Sequence, residues 1–187
     1  MAQRTAHSKG TNVVDMVKFL RSRRDRALQV LPGSLHAYLD KRIDVSAWYP
    51  EEDVLGLTRA LARLMPEGNE SAYRLLGELN ARNHTEGSYG HLLGEVCLET
   101  LPIRLAALWK TLHDTGELVF EPELPRGGRV RLEGYASPGP EMCRVIEAYL
   151  AATLARAGLD AIASSHESCV HGGAKCCIWH FEGTPRA

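Results

Sequence analysis

The sequence predicts an α+β fold, a helical N-terminal part packed on a small antiparallel sheet of two hairpins with one helix inserted between them. Three observations predict it. Apolar residues recur at helical spacing from Asn12 almost to Gly116. After Gly116 the period shifts towards two. Between the two strand pairs lies a single helical run, residues 141–157, introduced by Pro140 and closed by Gly158. The expected organisation is a flexible tail at residues 1–11 and one domain at 12–183, mainly helical over 12–115 and β-hairpin–helix–β-hairpin over 116–183. A chain of 187 residues is long enough to bury one core of this kind.

The elements follow in order. Residues 12–31 place Val13, Val17, Leu20, Ala27 and Leu31 on one helical face behind Asn12 as N-cap, and Pro32-Gly33 ends the run. Its other face carries Lys18, Arg21, Arg23, Arg24 and Arg26 diluted by Asp15 and Asp25, the pattern of a solvated surface. Ser34 caps a short helix to about Lys41. Pro50 followed by Glu51-Glu52-Asp53 is a helix start, because the fixed proline φ suits the first turn and acids suit the positive end of the dipole. Val54, Leu57, Leu61 and Leu64 form its stripe, with Trp48 and Tyr49 as a hydrophobic staple.

Residues 69–83 form another helix with Ala72, Leu75, Leu76 and Leu79 inward, and Leu101-Pro102 opens one through Leu105, Leu108, Trp109 and Leu112. His84, His91 and His113 lack ligand spacing and are expected at the surface or at helix caps. Leu118–Phe120 and Val130–Leu132 read as strands joined through Pro125-Arg126-Gly127-Gly128. The inserted helix presents Met142, Ile146, Tyr149 and Thr153 along one face. Two further strands, about 160–170 and 175–181, turn at Gly172-Gly173.

Composition excludes several classes. A formal net charge of −1 gives no field for nucleic acid or anionic membrane, and no apolar run spans a bilayer. Five cysteines, an odd number, with no signal-peptide core point to reduced thiols in the cytoplasm. Hydrolase, metalloprotease, phosphate-loop and dinucleotide signatures are all missing, so no catalytic residue is assigned and the expectation is a non-catalytic protein.

Chemistry-bearing residues concentrate at the end of the chain. A two-residue turn at Gly172-Gly173 pairs Cys169 with Cys176, and a three-residue loop pairs it with Cys177. Either register sets two sulfurs on one face, with Cα atoms ~4.5–5.5 Å apart. Such a pair suits two thiolates of a tetrahedral metal site, with His166 or His171 as a third ligand and Cys143 completing the set. The same residues also read as small buried side chains filling a sheet–helix interface, or as a cross-strand disulfide disfavoured by compartment.

The segment Cys169-Val-His-Gly-Gly-Ala-Lys-Cys-Cys177-Ile-Trp179 resembles the end of the 4-vinyl reductase (V4R) domain, in which a Cys, a Gly four residues on, a Cys eight residues on and an aromatic recur. Here these are Cys169, Gly173, Cys177 and Trp179. Residues 130–137 and the following helix resemble haem-NO-binding domains of the same superfamily. Trp48-Tyr49-Pro50 with its helices resembles a bacterial group of uncharacterised domains of about this length.

The resemblance implies a small-ligand-binding or protein-docking module in bacterial signalling, with a small apolar ligand or a signalling protein as partner and a homodimer by superfamily analogy. Its ligand cavity would lie between helices and sheet, near Trp48, Tyr49, Trp109, Tyr135 and Tyr149. The alternatives are a zinc-dependent sensor built on Cys169, Cys176 and Cys177, and a tetrapyrrole-related enzyme or accessory protein. Haem-binding members hold the propionates with Tyr-x-Ser-x-Arg. This chain has Tyr135-Ala136-Ser137-Pro138-Gly139, so glycine stands for arginine, and the expectation is no cofactor, with zinc admitted and haem not expected.

Overall fold

The computed structural model describes residues 5–87, 89–93 and 97–186, with the side chain of Leu93 left out. From Thr5 on, the expected tail of residues 1–11 is instead tied into the fold; its first four residues lie outside the described ones. His7–Lys9 forms strand β1, paired antiparallel with β2 (Trp48–Pro50), and Glu51 N–H donates to the Ala6 carbonyl. Burial explains this: Ala6 and Ser8 are buried, and Asn12 donates to Ser8 Oγ at 2.8 Å. Residues 12–31 form two helices rather than one, α1 (Val14–Arg21) and α2 (Arg24–Val30). The break falls where Ser22 Oγ donates back to the Phe19 carbonyl, giving the backbone a competing partner. It leaves Val17, Leu20 and Ala27 in the core as the pattern requires. Residues Gly33–Leu39 are a 3-10 helix.

The expected helix behind Pro50 is α3 (Glu51–Leu64), and α4 (Asn69–Glu86) runs three residues past its expected end. On α4 the inward face is Tyr73, Leu76, Gly77, Asn80, Ala81 and His84, while Leu75 is exposed. Gly77 decides this rotation. A Cβ there would lie 2.5 Å from the Val145 carbonyl oxygen, so only glycine lets α4 lie this close to the later helix α7 (Pro140–Arg156). The short α5 (Gly90–Leu93) and α6 (Leu101–Leu112) complete the helical part.

Strands β3 (Glu117–Glu123), β4 (Gly127–Glu133), β5 (Leu159–Ser168) and β6 (Cys176–Pro185) form one antiparallel sheet in the order β3-β4-β6-β5, as the two-hairpin pattern predicts. Gly158, with φ +100, ends α7 in the left-handed conformation that glycine tolerates best. Period-two alternation puts Cys177, Trp179 and Phe181 inside and Cys176, Ile178 and His180 on the outer face. The outer face carries exposed ion pairs such as Arg129–Glu167, each worth roughly 0–1 kcal/mol.

Helix α7 is the wall between two cores. Met142 and Val145 join the helical cluster, while Cys143, Ile146, Leu150 and Leu154 join the cluster over the sheet. Chemistry collects on both sides of this wall. No helix among the described residues is long and apolar enough to cross a membrane.

Candidate functional site: a thiol cluster and a histidine-lined cavity

The first site lies on the sheet side of α7. Cys143 sits in the first turn of α7, behind Pro140. His166 comes from β5, where a bulge between His166 and Ser168 leaves its ring stacked on Trp179 across the ladder at 4.8 Å. Cys169 follows β5, its carbonyl accepting from the Gly172 and Ala174 N–H groups, and Cys177 points inward from β6. One ligand atom from each of these four residues lies within 4.8 Å of the others. Cys143 Sγ is 3.8 Å from both Cys169 Sγ and Cys177 Sγ. Four ligands about 2.3 Å from a tetrahedral zinc have sulfur–sulfur edges of about 3.8 Å, so the spacing fits a metal, while all five cysteines are free thiols.

The electrostatics make Cys177 ionise more readily than Cys143. Donation from Cys143 lowers its pKa, the Val170 N–H adds to this at 3.5 Å, and His166 and Cys169 contribute. The same pairing with Cys177, followed by burial, raises Cys143. Of the six metal candidates in the sequence, four converge. Cys176 neighbours Cys177 on a strand and therefore faces the other way. His171 lies on the 3-10 turn Val170–Gly172, where its Nε2 meets Ser137 Oγ at 3.1 Å.

The second site lies on the helical side of α7. A cavity of about 50 Å³, room for a few water-sized molecules, is walled by aliphatic side chains including Val54, Leu76, Leu105 and Leu108. Its polar lining includes Asn80, His84, His113 and Tyr149. His84 is 2 % exposed. Its Nδ1 is 3.4 Å from the Tyr149 hydroxyl, and its Nε2 is buried with no partner. Burial, reinforced by His113, pushes its pKa down to about 4, so the ring is neutral and carries a free lone pair. His113 Nδ1 is 2.7 Å from Glu51 Oε1, and the ring stacks on Trp109 at 4.0 Å.

Of the five aromatic candidates, Trp109 and Tyr149 line this cavity. Tyr135 packs edge-on against Trp109 behind it. Burial first, then Glu51, holds the Tyr135 phenol proton on, and the hydroxyl has no partner. Trp48 and Tyr49 lie on β2, away from the cavity, where Trp48 is 43 % exposed beneath the Lys9 ammonium. His84 and His113 were both expected at the surface or at helix caps; His113 is the C-cap of α6, whereas His84 is buried, and the place of both in a cavity lining is what sequence reasoning missed. The available signal was Leu76, Asn80 and His84 at four-residue steps, polar groups continuing a buried stripe.

No family model and no curated protein matches the chain. Solved structures do. An H-NOX protein from S. oneidensis in the Fe(II) ligation state superposes with a TM-score of 0.70 at 14 % identity, over 96 % of this chain and 97 % of that one. A T. tengcongensis H-NOX variant gives 0.62 at 14 % over 95 % and 98 %. A structure from a study of haem distortion in the H-NOX family gives 0.63 at 13 % over 96 % of each.

These matches correct the expectation of no cofactor with haem not expected, because the fold relatives are described as haem proteins. Near the glycine at 139, on which that expectation rested, a cation does stand, although it is already paired with a carboxylate. The Arg59 guanidinium, bonded to Glu141 at 2.7 Å and 3.1 Å, lies 3.2 Å from where a side chain at 139 would begin. The free Nε2 of His84 is a nitrogen donor suited to haem iron, while the cavity at about 50 Å³ is smaller than a haem, so its aliphatic walls would have to part to admit one. Across nearly its whole length, the chain has the fold of the H-NOX structures.

Proposed function

We propose that this chain is the small-ligand-binding module of a signalling system, with the α4–α6–α7 cavity as its ligand site and haem as the ligand class. The observation that carries the proposal is His84, whose neutral imidazole presents an unpartnered Nε2 inside an aliphatic cavity. Bound haem would supply an iron able to bind an imidazole nitrogen and a small gaseous ligand, and His84 is the residue that would hold it. The chain's own part is to hold that lone pair in place through the Tyr149 hydroxyl and to exclude water with leucine and valine walls. Admitting a ring requires these walls to part, and Arg59 is the cation placed near the Tyr135–Gly139 segment for its carboxylates. The occupied domain is then recognised by a signalling partner or by a second copy, in a reducing compartment that keeps the thiols free.

Titration with haemin tests this. A Soret absorption that saturates at one haemin per chain is the expected result, and absorbance rising without saturation overturns the haem assignment.

The four-donor cluster favours a second, compatible reading. Cys143, His166, Cys169 and Cys177 hold zinc, pinning the start of α7 to the β5–β6 hairpin. Tetrahedral spacing and an easily ionised Cys177 support it.

A further inference from the structure

Residues 40–47 join the 3-10 helix to β2 without regular structure, yet they are tied at both ends. Arg21 donates to the Tyr38 carbonyl at 2.9 Å and to the Lys41 carbonyl. Arg24 donates to the Leu39 carbonyl at 3.2 Å and to the Asp40 carboxylate at 2.8 Å. At the far end Gly10 N–H donates to the Ala47 carbonyl, and the Tyr49 hydroxyl accepts from the Asp44 N–H, each at 3.0 Å. A Cβ at Gly10 would lie 2.0 Å from the Asp44 carbonyl oxygen, so glycine is what lets β1 and the loop meet.

This fixed loop presents cations and apolar surface outward. Lys41 and Arg42 are exposed and make no ion pair among the described residues, and the same holds for Arg23, which stands between the two tethering arginines. The arginines on the outer face of the sheet, by contrast, are paired. Val45 is 44 % exposed, and Trp48 is exposed with the Lys9 ammonium 4.0 Å from its ring centroid. The near-zero net charge hides a division. Residues 1–50 hold nine lysines and arginines against four acids, whereas residues 51–187 hold thirteen against nineteen.

We propose that loop 40–48, with Arg23 beside it, is a docking face for an acidic, apolar-containing segment of a partner protein. This rests on the reading of the chain as a signalling module and names the surface its partner meets. The face does not depend on the occupant of the cavity, so haemin titration and peptide binding fail separately. Unpaired cations on a backbone already fixed can meet carboxylates without first breaking ion pairs or ordering a loop. Trp48 and Val45 supply the apolar anchor that carries most of the energy at such contacts. Two features select a discrete segment over an anionic membrane or a nucleic-acid backbone. Asp40 and Asp44 are set among the cations, and two hydrogen bonds from Ser46 hold the Asp44 carboxyl below its ordinary pKa, so both acids repel a continuous anionic surface. The rest of the chain is acidic and repels it too. At physiological salt the screening length is about 8 Å, so a short segment meets the local cations alone.

A fluorescent peptide of alternating glutamate and phenylalanine is the probe, read by anisotropy on the full chain. Wild type should bind it more weakly as salt rises, and should bind the lysine–phenylalanine counterpart at least about tenfold less tightly. Lys41→Glu combined with Arg42→Glu should weaken binding at least about tenfold, and so should Trp48→Ala. Lys110→Glu combined with Arg144→Glu makes the same change in net charge at exposed sites elsewhere and should leave binding unchanged. If Trp48→Ala does not fold, the comparison of the two charge variants decides, since their side chains are exposed. Equal loss in both charge variants shows that net charge alone acts and overturns the docking face, as does absence of binding by wild type. Tighter binding of phosphatidylserine vesicles or duplex DNA than of the peptide overturns the assignment to an acidic protein segment.

Discussion

Removal of zinc with a strong chelator lowers the melting temperature by about 8–16 °C. This follows if zinc at about a thousand times its Kd contributes about 4 kcal/mol and each kcal/mol is worth about 2–4 °C in a chain of this size. The effect is expected to be large because a metal there would join three elements that otherwise meet through small side chains: α7 at Cys143, β5 with its following loop at His166 and Cys169, and β6 at Cys177. Cys143→Ser removes the sulfur that lies 3.8 Å from both others, so the variant should melt where the chelated protein does and ignore chelator. Cys176→Ser, on the outer face, should keep the full response. A wild type whose melting is unmoved by chelator would show the cluster to be plain core.

The second large effect is on pH dependence in the ligand-free protein. Folding buries His84 and lowers its pKa from 6.5 to about 4. Below pH 6.5 the unfolded chain takes up a proton that the folded chain refuses until about pH 4. The folded state therefore holds its full advantage above pH 6.5 and loses it as pH falls through that window. The loss is about 3 kcal/mol, at about 1.4 kcal/mol per pH unit. His84→Gln, neutral throughout, should lack this contribution. Urea unfolding of both proteins between pH 7 and pH 4 checks it: the curves of stability against pH should converge by about 3 kcal/mol, and parallel curves would place His84 in water.

Much of the fold was legible because its signals are local. Pro50 with three acids starts α3, Pro140 and Gly158 bracket α7, and period-two runs mark the strands. Part of the thiol site was legible for the same reason, since Cys169 and Cys177 flank one hairpin. Alternation alone removes Cys176, once Cys177 is known to face inward. The cavity was not legible. His84 and His113 each stand alone near a helix end, where an isolated histidine looks like a surface or capping residue. They become a pair only when α4 and α6 converge, and that depends on Gly77 letting α4 approach α7. Strand β1 was hidden likewise: three residues in a polar run have no periodicity, and what holds them is pairing with β2 and with Asp114, whose carboxylate accepts from the His7 N–H at 2.7 Å. The split of residues 12–31 turned on a single serine that competes for a backbone carbonyl.

The central claim is that the buried cavity is a ligand site within a domain that also holds a metal. Native mass spectrometry of the protein purified after expression with haem precursor and zinc in the medium tests it most directly, because it weighs both occupants on the same chain. The account predicts a species carrying one haem and one zinc, with the haem increment lost in His84→Leu and the zinc increment lost in Cys143→Ser, each independently of the other. A wild-type mass equal to that of the bare chain under these conditions would contradict it.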